Sequence, residues 1–145
     1  CSFRATQGFE TSLKLGSNRM LTWISVAAGG AIGAALRYGV NVATVAIWGL
    51  GFPIATLIVN ILGSFILGSL VGLFTHYGTP SPEMRHFIVT GMLGAFTTFS
   101  TFSLDSVTLF ERGEYGMLSF YILASVLLGI GAFFFGLFII RTLFS

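Results

Sequence analysis

The sequence predicts an all-α integral membrane protein with four transmembrane helices, the third of them broken mid-membrane. Three observations predict it. Only 8% of the 145 residues are charged while 54% are hydrophobic, whereas a soluble domain carries about 25% charged residues. Four apolar runs are each long enough for a crossing, which takes roughly 20 residues. The third run contains a segment, GMLGAFTTFSTFS (91–103), that makes a poor helix interior. Glycine and β-branched Thr weaken helices, and Ser and Thr hydroxyls compete for backbone hydrogen bonds.

Residues 1–19 differ from the rest of the chain. They are polar, hold three of the seven basic residues and lack an apolar core of signal-peptide length. They read as a tag, an upstream read-through or a disordered tail, with Met20 as the native start. The first span runs from about Leu21 to Ile47, with Arg37 its only charge. WGLGFP (48–53) turns the chain, and Pro53 suits the start of a helix. The second span, about Ile54 to His76, has no charged residue. YGTPSPE (77–83) is a polar loop in which Ser81, Pro82 and Glu83 supply an N-cap, a first-turn proline and an early acid. The third span covers about Glu83 to Phe110. ERGEYG (111–116) forms the last loop, and the fourth span runs from about Met117 to Thr142.

Gly29-x-x-x-Gly33 and Gly68-x-x-x-Gly72 have the spacing that lets helix backbones approach closely in lipid. Past Met20 the basic residues are Arg37, Arg85, Arg112 and Arg141. They fall on both sides of a four-span chain, so the positive-inside rule gives only a slight bias. So small and balanced a chain points to an antiparallel homodimer of opposite orientations.

Polar atoms inside the spans carry the functional reading. In lipid, unpaired backbone groups are costly, so a broken helix survives only where protein or a cavity satisfies it. A break after Gly94, within Ala95-Phe96-Thr97-Thr98, is either a glycine kink patched by Thr hydroxyls or a site where freed carbonyls hold a hard cation. Phe99 and Phe102 share a helix face; they are lipid or core contacts, or they turn positive ring edges toward a small anion. Asn60 either bonds another helix or donates its NH₂ to an anion. Arg37 either snorkels to the interface or attracts anions at a vestibule. Tyr121 and Ser125 place two hydroxyls on one face of the fourth span. Asp105 lies late in the third span, within reach of the interface, so no buried acid for proton coupling is evident.

The single Cys1 forms no intrachain disulfide or metal motif. His76 and His86 read as interfacial residues flanking one loop. No basic patch for nucleic acid and no nucleophile, zinc or phosphate-loop motif is present, so the chain does not read as an enzyme.

From about Ala27 onward the sequence resembles the CrcB/Fluc family of small fluoride channels. The resemblance rests on GGAIGAALRY (29–38), TLIVNILGSFILG (56–68) and GMLGAFTTFSTFS (91–103), in that order and spacing. It implies an antiparallel dual-topology homodimer in the cell inner membrane, with two fluoride pores and a central structural Na⁺. It further implies that backbone carbonyls of Gly94 and Thr97 hold the Na⁺ and that Phe99 and Phe102 line the pore. Asn60 would be the pore asparagine and Arg37 the vestibule arginine. Thr101, Tyr121 and Ser125 would form a polar track, which usually continues with a hydroxyl where this chain has Gly129. Residues 1–19 match nothing in the family. The expected partners are fluoride, lipid and a second copy of the chain. The competing expectations are a small four-helix multidrug or cation exporter, which needs a buried carboxylate that the first span lacks, and a membrane scaffold that transports nothing.

Overall fold

The computed structural model describes the backbone of residues 2–144 and the side chains of residues 19–144. The expectation for the N-terminal extension therefore falls largely outside the described side chains. The elements are α1 (Ser2–Trp48), α2 (Ile54–Tyr77), α3 (Pro82–Arg85), a π-helix (His86–Leu93), α4 (Gly94–Phe96), α5 (Phe99–Glu111) and α6 (Tyr115–Leu143). Among the described residues, Arg19–Trp48, Ile54–Tyr77, Pro82–Glu111 and Tyr115–Leu143 are long and apolar enough to cross a membrane.

Local chemistry sets the ends of these helices. The Ser81 hydroxyl accepts from the Met84 N–H at 3.3 Å, and Pro82 takes the first helical position, where its missing N–H costs nothing. At the end of α5, Gly113 adopts φ +74°, a conformation open to glycine. Its N–H bonds the Phe110 carbonyl at 2.9 Å and the Glu114 N–H bonds that of Leu109 at 3.0 Å. Two carbonyls that the helix end would orphan are thereby satisfied.

Glycines set the packing of the spans. α1 lies along the π-helix, and α2 along α6. A Cβ added at Gly29 would overlap the Phe87 carbonyl oxygen, and one at Gly33 would overlap that of Met92. On the other pair, Cβ atoms at Gly68 and Gly136 would overlap the carbonyl oxygens of Phe133 and Phe65. Both small-residue motifs read from the sequence thus lie at helix contacts, with backbone against backbone at Gly29, Gly33 and Gly68 and against the Ile140 side chain at Gly72. Residue numbers rise together along each pair, so the paired helices run parallel.

The large side chains mostly face outward. Val59, Leu93, Phe96, Leu109 and Tyr121 are the buried hydrophobic residues, while Trp23, Leu127, Phe134, Phe138 and many others are exposed. Such a surface suits lipid rather than water.

The overlap at Gly68 sets a stability expectation. Gly68→Ala should destabilise the fold by about 1–3 kcal/mol through overpacking, seen as a lower unfolding midpoint in detergent. Gly116→Ala, where nothing lies within 4 Å of the added Cβ, should leave the midpoint unchanged.

Candidate ion site at the third span

The third span is not a uniform α-helix. Over His86–Leu93 it is a π-helix, whose i→i+5 pattern continues in the Gly94 N–H bonding the Val89 carbonyl. Such turns are uncommon and recur at functional sites. After one short α-turn, Thr97 (φ −79°, ψ 155°) and Thr98 (φ −153°, ψ 119°) are extended. α5 then starts at Phe99.

Asn60 of α2 holds the extended residues in place. Its Oδ1 accepts from the Thr98 N–H at 2.8 Å, and its Nδ2 donates to the Thr98 carbonyl at 3.2 Å. Of the two sequence readings for Asn60, the structure displays the interhelical bond, made to backbone. The Thr98 side chain caps α5, its Oγ1 accepting from the Thr101 N–H at 3.2 Å and donating to the Thr101 hydroxyl at 3.0 Å. Thr97 Oγ1 bonds back to the Leu93 carbonyl at 3.0 Å.

The four carbonyls of residues 94–97 lose their helical partners through this rearrangement, those of Gly94 and Thr97 among them. An unbroken helix would send the Thr98 N–H to the Gly94 carbonyl and the Thr101 N–H to that of Thr97. Asn60 and the Thr98 hydroxyl take those two donors instead. The Gly94 and Thr97 carbonyls are the pair singled out for Na⁺, and freed carbonyl oxygens are the donor type a hard cation takes. Two oxygens are few for such an ion, so the residues of one chain fit half a site.

Above the interruption, Asp105 links three spans. Its Oδ2 accepts from the Thr56 hydroxyl at 2.6 Å and from the Tyr121 hydroxyl at 3.0 Å. The sequence reading set Asp105 late in the third span, within reach of the interface; the structure shows it half-buried, with two hydroxyls of neighbouring spans converging on it. The aromatic rings form a lane here. Phe99 and Phe102 have centroids 5.5 Å apart, Phe102 and Tyr121 5.3 Å, and Tyr121 meets Phe52 edge-on at 5.6 Å. Tyr121 is fully buried, whereas Phe99 is 79% exposed on the single chain. Ser125 Oγ is buried without a hydrogen-bond partner.

Five of the predicted residues line two cavities, Arg37 and Thr101 on one and Asn60, Gly94 and Thr97 on the other, while Phe99, Phe102, Tyr121 and Ser125 line neither. The larger, of about 390 Å³, includes Arg37, Thr98, Thr101, Asp105 and Arg112 in its lining. The smaller, of about 180 Å³, is bordered by Asn60, Ser64, Gly94 and Thr97 among others. The Asn60–Thr98 pair stands between them, with one partner on each. Sequence reasoning missed Thr56, Thr98 and Arg112 as site residues. Thr56 carried a usable signal, since it precedes Asn60 by one helical turn. Arg112 carried none: it reaches the Gly51 carbonyl of the first turn at 3.4 Å, across 61 residues of chain.

These features define a class: a small four-span membrane protein with polar groups gathered around a break in an apolar bundle. The chain belongs to the family described as CrcB-like protein, Camphor Resistance (CrcB), which it matches over residues 24–137. It is 54% identical to the fluoride-specific ion channel FluC of Agrobacterium fabrum over 125 residues, covering 86% of this chain and 100% of that protein. It is 49% identical to the protein of the same name from Rhodospirillum centenum, over 82% of this chain and 94% of the relative. With that of Rhizobium etli it shares 48% identity over 86% of this chain and 99% of the relative. The protein is a multi-pass protein of the plasma membrane.

The two bonds from Asn60 to Thr98 make a measurable contribution. Asn60→Leu leaves a buried N–H and C=O without partners, at about 1–3 kcal/mol each. The unfolding midpoint in detergent should fall, and amide hydrogen exchange across residues 96–101 should speed up relative to α6.

Proposed function

We propose that the protein is a fluoride-selective channel that lets F⁻ leave the cell passively. The reading is supported by relatives matched over 94–100% of their own length that carry the name fluoride-specific ion channel. The structural observation that carries it is the interruption at Thr97 and Thr98, held by Asn60 between two cavities. A bundle that only needed stability in lipid would be better served by continuous helix.

The chemistry suits a small, strongly hydrated anion. Arg37 and Arg112 supply positive charge at the larger cavity and draw anions in. Thr101 and Ser125 offer O–H donors that replace water, and Tyr121 joins the track only by turning its O–H away from Asp105. The edges of Phe99 and Phe102 carry partial positive charge without a full cation, which favours passage over trapping. No pump is required, since a negative interior drives an anion outward with about 2.3 kcal/mol per 100 mV.

The exposed Phe99 and the half-complete set of carbonyls both favour an antiparallel homodimer. In it a second copy covers Phe99 and adds its own Gly94 and Thr97 oxygens to a shared Na⁺ site. When bound, the cation would neutralise inward-pointing carbonyl dipoles and hold the two chains together.

Purified protein in liposomes loaded with fluoride tests the reading: electrogenic fluoride efflux with no proton requirement is the expected result. Proton-coupled drug uptake would instead indicate an exporter, and absence of any flux a scaffold. Phe99→Ile and Phe102→Ile should each cut fluoride flux at least tenfold while the dimer persists on size exclusion. Replacing Na⁺ by N-methylglucamine on both sides should weaken flux or dimer stability.

A further inference from the structure

The facing surfaces of α2 and α6 carry polar residues at matched positions. α2 presents Thr56, Asn60 and Ser64, and α6 presents Tyr121 and Ser125, followed by Gly129. Residues four apart share a helix face. The register between the helices is fixed at three levels. Thr56 and Tyr121 meet at Asp105. A Cβ built at Gly129 would lie 3.9 Å from Ser64 Oγ. One at Gly68 would meet the Phe133 carbonyl. Asn60 and Ser125 occupy the level between the first two.

Most hydroxyls in the spans bond to the carbonyl four residues earlier in their own helix. Ser69, Thr75, Ser103, Ser106, Thr108, Ser119 and Thr142 all do so. Ser64 and Ser125 do not. Ser125 Oγ is buried and unpartnered, and Ser64 Oγ bonds to none of the described residues. Ser125 Oγ is buried, so leaving it unpaired in an apolar bundle is costly and calls for an explanation, while Ser64 is half-buried. Ser64 also borders the 180 Å³ cavity beside Asn60, which is ample for a water-sized ion.

We propose that Ser64 and Ser125 form a donor pair for the permeating anion, with Ser64 reaching from α2 into the space opposite Gly129 of α6. The inference rests on the fluoride-channel reading and adds Ser64 to the pathway. Each O–H turns toward the anion as it passes and is released behind it, so neither hydroxyl is committed to the protein between passages.

The test is fluoride efflux from liposomes holding the full chain. Ser64→Ala should lower the rate roughly tenfold, the order expected for losing one hydrogen bond to a charged group. Adding Gly129→Ser to that variant should restore the rate, since a side chain there enters the same space at ordinary contact distance. Adding Gly129→Ala should not restore it, although it places the same Cβ. A merely structural role for Ser64 predicts no difference between those two double variants. Wild-type flux in Ser64→Ala, or a loss that Gly129→Ser leaves uncorrected, overturns the inference. If Ser64→Ala does not yield folded protein, Ser64→Cys keeps the volume with a weaker donor and must show the same loss and rescue. Absence of fluoride flux from the wild-type chain would instead remove the channel reading itself.

Discussion

Asn60 gives both ends of its amide to a single residue, Thr98, and the polar architecture of the bundle depends on that pairing. Two extended residues in a transmembrane helix release several N–H and C=O groups at once. Water is absent there, so other protein groups must take them. An amide matches one donor and one acceptor on the same residue, which neither a hydroxyl nor a carboxylate can do as well. With Thr98 held, its own side chain is placed to cap α5. The cap fixes the direction of α5, and with it Phe102 beside Tyr121 and Asp105 beside Thr56.

Packing between spans gives this polar arrangement a firm frame. Close approach at Gly29, Gly33, Gly68 and Gly136 sets backbone directly against backbone. In lipid, where burial of apolar surface gives no net drive between helices, such contact is a main source of association. The parallel pair of α2 and α6 carries both these contacts and the polar row. A row of hydroxyls along a sliding or loosely packed seam would not hold a constant width. Along this one, the glycine contacts at Gly68 and Gly136 lie within a turn or two of Ser64 and Gly129.

How legible this was in the sequence depended on the range of the signal. Hydropathy and turn residues located the four apolar helices, with ends within two residues of those observed except at the start of α1, which begins at Ser2 rather than Leu21, because each of those ends depends on local composition. Ser81 was readable as a cap for the same reason. The weak helix character of 91–103 was also local, and the extended residues lie at Thr97 and Thr98 within it. The π-helix before them was not foreseen, since HFIVTGML carries no pattern distinguishing five-residue from four-residue bonding. The partners of Asp105 could not be read, because they come from α2 and α6 rather than from its neighbours in sequence. Arg112 and Ser64 stood out only once their cavities were visible. Asn60 was singled out correctly as a polar residue of note, but its partner on the third span was beyond what spacing along α2 could tell.

The π-helix has a consequence for how the chain tolerates change in length. Wider turns take up more residues per revolution than an α-helix does, so the segment 86–93 behaves as an inserted residue absorbed into the spiral. Deleting one residue there would be taken up by a return to ordinary geometry with the downstream phase kept, whereas a deletion from the α-turn Gly94–Phe96 would rotate everything downstream by about 100° relative to the first half. Thr98 would swing away from Asn60, and Phe99 and Phe102 would point to a different side of the bundle. The span thus has a phase as well as a length, and the π-helix is the one stretch between His86 and Thr98 where a change in length leaves that phase intact.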